Sequence, residues 1–417
     1  MFSIVRPVLR RSACACRLIT SSSSNNSSTE QGSGTINFNE LFQKGIENPI
    51  RNPVKKGLAV CRTNQTDPSQ HTIRHEGLYY RVAPEAIQRW MKEGLHPDIY
   101  PLFRAFNESC LMVRRPAIEI MECMRAADYS LPAIRYMLYG RAGSGKSSTL
   151  AHLMHFCGSQ DWVITHVPWA PVLHRYSKER VPSTFKEGRI DQPADAAKWL
   201  SRLMTTNDPL LKTLNLKTHR KYIWSRREVT EEGDALTELI DFGLQRVKYA
   251  PDVMGAVIRE LKLHASSGNV KVLVAIDGVN GMWEQTRYIR EESRHKFFHA
   301  QELTIVQHLM EFLKNDWTGG ASVCTVDEGA TIKEMNDPLT SYMPRFLLGQ
   351  KGFDFLDPFI PVHVPDYSDK EANSCLDYYT DRKWIQHPAG LTEAGRTEMF
   401  FLSCKNPLEL YKVSRRW

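Results

Sequence analysis

The chain has 417 residues, 42% hydrophobic and 24% charged, which is ordinary for a globular protein and ample for a substantial core in one large domain with appendages or in two domains. No apolar run approaches the roughly eighteen residues of a membrane span, so no membrane partner is expected. The nine cysteines contain no C-x-x-C pair, which excludes a zinc ribbon or a disulfide framework, and the net charge of +7 is only a faint pointer to a nucleic-acid partner.

The first twenty residues carry Arg6, Arg10, Arg11 and Arg17, with no acid before Glu30. An arginine-rich, serine-rich, acid-poor start with amphipathic helical spacing is a mitochondrial presequence composition, so residues 1–20 are read as a presequence and the matrix as the destination. Those four arginines account for +4 of the +7, leaving about +3 on the remainder. Residues 21–75 mix Ser, Asn, Gly, Pro and Lys without periodicity and read as an extended arm.

Helical spacing recurs over Pro84 to Met91 and Arg115 to Ala127, and a strand begins at Ile134. Further strands are predicted at Trp162 to Val167, Val270 to Ile276, Ala321 to Val326 and Phe359 to Val364, with helical stretches between them. Such alternation implies an α/β protein with a parallel sheet covered on both faces. The long second connection predicts a helical insertion over about 174–268, with one helix capped by Asp191, one from Ala235 to Tyr249 and one from Asp252 to His264. A helix is predicted from His299 to Asn315. These elements delimit a nucleotide-binding domain at 76–365 and a C-terminal helical cap at 366–417.

The chemistry concentrates where the first strand hands over to a helix. Gly140-Arg141-Ala142-Gly143-Ser144-Gly145-Lys146-Ser147 fits G-x-x-x-x-G-K-[ST] at every fixed position, followed by Ser148. Glycines let consecutive amides converge on a phosphate, and the following helix adds the positive end of its dipole. Lys146 is expected at the β- and γ-phosphates and the Ser147 hydroxyl on Mg²⁺. Asp277, ending the hydrophobic run "VKVLVAID", is the expected second metal residue, acting through water.

Gly278-Val279-Asn280 follows Asp277, where active ATPases of the AAA+ type place a glutamate. Glu284 and Asn280 are weak substitutes, so slow or absent turnover is expected. His152 and His155 in "HLMHFC" are read as packed or solvated side chains, since no acidic or Cys partner has ligand spacing. "KYIWSRREV", Lys221 to Val229, interleaves aromatic and basic residues that could grip RNA, although a solvated surface fits the spacing equally.

The presequence together with "YMLYGRAGSGKSSTL", "HFCGSQDWVI", "IDQPADAAKWL", "YIWSRREVTEEG", "LVAIDGVNGMW", "KNDWTGGA", "GFDFLDPFIPV" and "WIQH" resembles, in order, the death-associated protein 3 family of GTP-binding proteins of the mitochondrial small ribosomal subunit. The resemblance runs from about Leu111 to about Pro407. It implies a P-loop NTPase fold of AAA+-like type with strand order 5-1-4-3-2, and a bound GTP or GDP with Mg²⁺. It also implies contacts with mitochondrial ribosomal RNA and neighbouring small-subunit proteins, bridges to the large subunit, and a link to apoptosis. No guanine-specifying N-K-x-D occurs here, so the residues themselves leave ATP open, and by analogy Met112 to Ile120 is expected beside the base. Three functions compete: a structural ribosomal component holding its nucleotide, an active AAA+-like NTPase switch in mitochondrial or apoptotic signalling, and an RNA-binding module with a vestigial loop. The intact Lys146, Ser147 and Asp277 favour the first two over the third.

Overall fold

Five predominantly apolar segments form the central sheet: β1 (Ile134–Tyr139), β2 (Val163–Val167), β3 (Val272–Ile276), β4 (Gly320–Thr325) and β5 (Ile360–His363). They lie parallel, side by side in the order β5-β1-β4-β3-β2. Strands buried on both faces need no polar alternation, which is why β1 to β4 read as largely apolar stretches, whereas the edge strand β5 is exposed at Ile360, Pro361 and His363. In this computed structural model residues 61–290, 293–331 and 341–417 are described, all within one compact unit, Pro53–Trp417. The presequence and most of the arm lie outside the described residues. The last part of the arm segment, from Cys61 to His75, is packed on the body, with Cys61 and His71 buried.

Alternate strand residues feed two cores. Val272, Val274 and Ile276 of β3 join one cluster, while Leu273 and Ala275 join the other. The second cluster is covered by α1 (Arg115–Ala126) and α2 (Lys146–Gly158). Every side chain of α2 from Thr149 to Cys157 is buried, Thr149, His152 and His155 included, as expected of a helix packed on all sides. The first cluster is covered by α3 (Pro193–Leu214), α4 (Leu236–Gln245), α5 (Ala250–Ser266), α6 (Thr304–Phe312) and α7 (Pro344–Leu356). After β5 come α8 (Asp369–Asp381), α9 (Glu393–Ser403) and α10 (Pro407–Ser414), whose own apolar cluster takes in Cys61, Tyr79 and Phe106.

Three expectations change in detail. The N-cap of α3 is Gln192, not Asp191. Asp191 pairs with Val181 in a short hairpin, and its carboxylate accepts the Thr304 hydroxyl at 2.5 Å, so it is not available to the helix. The helix predicted from His299 begins only at Thr304 and ends at Phe312. His299 instead closes an antiparallel pair, Gln285–Arg290 with Ser293–His299, in which Thr286 and Tyr288 face inward and Gln285, Arg287 and Ile289 face solvent. The connection from β2 to β3 contains the three predicted helices, α4 stopping at Gln245, plus small hairpins at Val181–Pro182/Ile190–Asp191 and Tyr222–Ile223/Val229–Thr230.

The edge strand β2 has its open side held by a side chain. The buried Asn207 amide of α3 accepts from Ile164 N and donates to Ile164 O, both at 2.8 Å, and donates to Leu203 O at 2.9 Å. It pairs with the Ile164 backbone as a neighbouring strand would. Among the described residues no helix is long and apolar enough to cross a membrane.

Candidate functional site

The register aligns the carboxyl ends of the strands. Ile276 is level with Val167 and Cys324, and Thr325 with Leu138. Residues that follow these ends therefore meet at one edge of the sheet, which is where parallel α/β sheets carry their ligand sites. Gly140 to Gly145 turn away from β1 there, and α2 starts at Lys146.

The Lys146 ammonium is buried inside the loop, donating to Gly140 O at 2.8 Å and Arg141 O at 3.0 Å and pairing with Asp327 Oδ2 at 3.0 Å. The Ser147 hydroxyl donates to Asp277 Oδ2 at 2.5 Å. Thr325 Oγ1 donates to Asp277 Oδ1 and in turn accepts from Gly278 N at 2.9 Å. Burial pushes the Asp277 carboxyl up to about 6. The Asp327 charge adds to the shift, and the Ser147 and Thr325 hydrogen bonds and the Lys146 ammonium oppose it.

A cavity of about 700 Å³ opens beside the loop, and Ala142, Gly143, Gly145, Lys146, Ser147, Ser148 and Asp277 all line it. Gly140, Arg141 and Ser144 do not. Gly140 supplies a carbonyl to Lys146, exposed Arg141 turns to Asp366 at 3.3 Å, and the Ser144 side chain points inward. Apolar side chains, among them Leu95, Ile99, Phe103, Leu408 and Tyr411, form much of the rest of the lining. Of the segment expected beside a base, Met112 and Arg114 reach the cavity, while Val113, Ala117, Ile118 and Ile120 are buried in the core.

The loop is clasped from behind by the C-terminal segment. Asn406, the N-cap of α10, donates to Ala142 O at 3.0 Å, and Leu408 N donates to Gly143 O at 3.2 Å. Gly143 has φ 77, and a Cβ there would lie 2.6 Å from Asn406 Oδ1. Buried Arg114 donates to Ser144 O at 2.5 Å and to Pro365 O at 2.9 Å, and pairs with Glu371 of α8 at 3.0 Å.

Both weak substitutes for a catalytic base are engaged elsewhere. The Asn280 side chain bonds the Asp327 backbone in both directions at 3.0 Å, and Glu284 accepts from Thr331 Oγ1 at 2.8 Å. Neither lines the cavity. Gly278 itself sits at φ 70 with Trp169 and Pro171 packed against it, so that a Cβ would lie 2.8 Å from the Trp169 ring.

The other sequence clusters have structural partners. His152 Nε2 meets His71 Nδ1 at 2.9 Å and His155 Nδ1 meets the Tyr80 hydroxyl at 3.2 Å, all buried. In Lys221 to Val229, Trp224 stacks between Tyr222 and Phe242, and Glu228 pairs with Arg246, while Arg226 and Arg227 are exposed. Sequence spacing gave no sign that His219, Glu260 and His264 converge within 4.8 Å. They form a satisfied network rather than an open ligand set: Glu260 takes the His219 ring at 2.7 Å and the Tyr222 hydroxyl at 2.6 Å, and both His264 nitrogens are bonded, to Lys217 O and to Asn269.

Asp327, Thr325, Arg114 and Asn406 were not singled out from sequence as polar partners of the loop and its acid. Asp327 carried a usable signal, since it follows β4 closely just as Asp277 follows β3.

Sequence comparison adds the ancestry of this arrangement. The profile of the mitochondrial ribosomal death-associated protein 3 family matches residues 111–413. The small ribosomal subunit protein mS29 of Bos taurus is 39% identical over 355 residues, covering 85% of this chain and 88% of the bovine one. Its counterpart in Mus musculus is 38% identical over 361 residues, covering 87% and 90%. The mS29 of Neurospora crassa is 24% identical over 221 residues, covering 52% and 44%. With the loop, the five strands of the sheet and almost all of the C-terminal helices inside the matched span, the chain belongs to the mitochondrial ribosomal death-associated protein 3 family.

Proposed function

We propose that the chain is a structural component of the mitochondrial small ribosomal subunit that keeps a guanine nucleotide with Mg²⁺ in its P-loop and turns it over slowly or not at all. The mitochondrial matrix is its compartment. The observation that carries the nucleotide reading is the 2.5 Å contact between Ser147 and Asp277 beside a buried lysine, at the mouth of a nucleotide-sized cavity.

Two hard oxygen donors this close, on a carboxylate and a hydroxyl, suit Mg²⁺, which is completed by phosphate oxygens and water. Bound there, the ion would neutralise phosphate charge. Lys146 and the amides of Gly143 to Ser147 would hold the phosphates, and the apolar lining would take the base and ribose. The strand order β5-β1-β4-β3-β2 with the loop after β1 fits the AAA+-like class of P-loop folds, with α8 to α10 as its cap. With Gly278 after Asp277, and Asn280 and Glu284 engaged elsewhere, none of these three is placed to activate water, which supports slow turnover; a ligand bound only by the native state then serves as a core element, worth about 4 kcal/mol at a thousandfold excess over Kd. Ribosomal RNA, neighbouring small-subunit proteins and large-subunit bridge elements are the partners that follow from this role.

The test is to denature the purified mature chain, identify the released nucleotide by ion-pair chromatography, and follow hydrolysis in a single turnover. Stoichiometric guanine nucleotide with negligible cleavage is expected. A Lys146→Ala chain that assembles into ribosomes normally without nucleotide would refute the structural role of the ligand.

A further inference from the structure

Asp327 faces the loop lysine, and its place is tightly fixed. Its Oδ2 lies 3.0 Å from Lys146 Nζ, its Oδ1 accepts from Gly329 N at 2.8 Å, and its backbone N and O are both held by Asn280. Its side chain is only 21% exposed, so solvent screens it only in part. It lines the same cavity as Lys146, Ser147 and Asp277.

Resting on the nucleotide reading above, we infer that Asp327 is the specificity-determining residue for phosphate number, favouring a nucleoside diphosphate over a triphosphate. A lysine in this motif serves both β- and γ-phosphate oxygens. A diphosphate asks the ammonium for one of its three protons, which can be released from the Gly140 or Arg141 carbonyl while the contact with Asp327 is kept. A triphosphate adds γ-oxygens that compete with Asp327 for the same ammonium and brings more negative charge beside a carboxylate. Asp327 has no proton to offer those oxygens, whereas an amide or hydroxyl in its place would donate to them. The neighbouring positive charges do not restore the balance. Arg114 is already neutralised by Glu371, and the exposed Arg141 is turned to Asp366. Asp277 contributes a second carboxylate, so the added charge of a triphosphate leans more heavily on Mg²⁺ and on the loop amides.

The preference is read by titrating the nucleotide-stripped full chain with fluorescent GDP and with a fluorescent non-hydrolysable GTP analogue, each with Mg²⁺ and with EDTA. The wild type is expected to bind the diphosphate at least about tenfold more tightly with Mg²⁺, and by a wider margin without it. Asp327→Asn keeps the Gly329 contact and is expected to bring the two affinities within about threefold, while Asp327→Glu, which keeps the charge, preserves the preference. An unchanged ratio in Asp327→Asn, or a wild type that prefers the triphosphate, overturns the assignment. So does a wild type that hydrolyses GTP and loses that activity in Asp327→Asn, because Asp327 would then be a base. Failure of both nucleotides to bind the wild type overturns the nucleotide-site reading itself, and this assignment with it.

Discussion

The Ser147 hydroxyl and the Asp277 carboxylate, 130 positions apart in the chain, meet at 2.5 Å across the end of the sheet. The acid sits with a folded pKa of about 6, above its ordinary 3.8. Its protonated form is therefore favoured by the fold, and on this group's account the metal-free chain loses stability as pH rises from about 4 to about 6. A metal ligand must be ionised, so Mg²⁺ held by Asp277, as proposed above, would reverse the trend. At subsaturating Mg²⁺, the ion's contribution to the melting temperature of the nucleotide-loaded chain is expected to be full at pH 7.5 and to fade as pH falls through about 6. In Asp277→Asn the contribution is absent at every pH, and a persisting Mg²⁺ effect in that variant would remove Asp277 from the metal site.

Gly143 is held between its own φ of 77 and the Asn406 and Leu408 side chains. Gly143→Ala is expected to cost about 2–4 kcal/mol in urea denaturation, because left-handed strain adds to a clash that the rigid α10 N-terminus cannot relieve. Gly188 has a similar φ of 78 with nothing within 4 Å. Its alanine variant, carrying the strain alone, is expected to lose only about 1–2 kcal/mol.

Arg114 and Glu371 form a buried pair, with side chains 6% and 5% exposed. Arg114→Ala leaves a carboxylate buried without its partner and is expected to cost about 3–5 kcal/mol by chemical denaturation. The double change Arg114→Met, Glu371→Leu is expected to recover more than half of that loss. A double variant as unstable as the single one would mean that the Ser144 and Pro365 carbonyls, not the ion pair, set the cost.

Asn207→Ala removes three buried hydrogen bonds and leaves both backbone groups of Ile164 without that partner. A loss of about 2–4 kcal/mol is expected, with accelerated hydrogen exchange at the Ile164 amide. If exchange at Ile164 is unaltered, the edge of β2 is protected by something other than this side chain.

What sequence could reveal divides along a physical line. The inner strands are legible because burial on both faces makes them largely apolar, and the loop is legible because Lys146 and Ser147 must stand at fixed distances from Gly140 and Gly145. The partners that complete the site were hidden because they arrive from elsewhere in the chain. Asn406 reaches Ala142 across 264 positions and Glu371 reaches Arg114 across 257, and no local periodicity encodes such meetings. The Gln285–Arg290 strand was missed although its inward Thr286 and Tyr288 alternate with outward Gln285, Arg287 and Ile289. That is a two-residue period standing next to a stronger helical one. Asp191 misled because a cap residue is recognised by type, and its type also suits the tertiary contact with Thr304.

The Trp169 ring and Pro171 pressed against Gly278 limit what can stand beside Asp277. A glutamate introduced at that position has nowhere to go until the indole beneath it is moved and the left-handed turn is relaxed. Any side chain there has to arrive with a second change at Trp169 or at the expense of a weakened fold. Packing around one small residue thus acts as a latch on the chemistry that can be built at this end of the sheet.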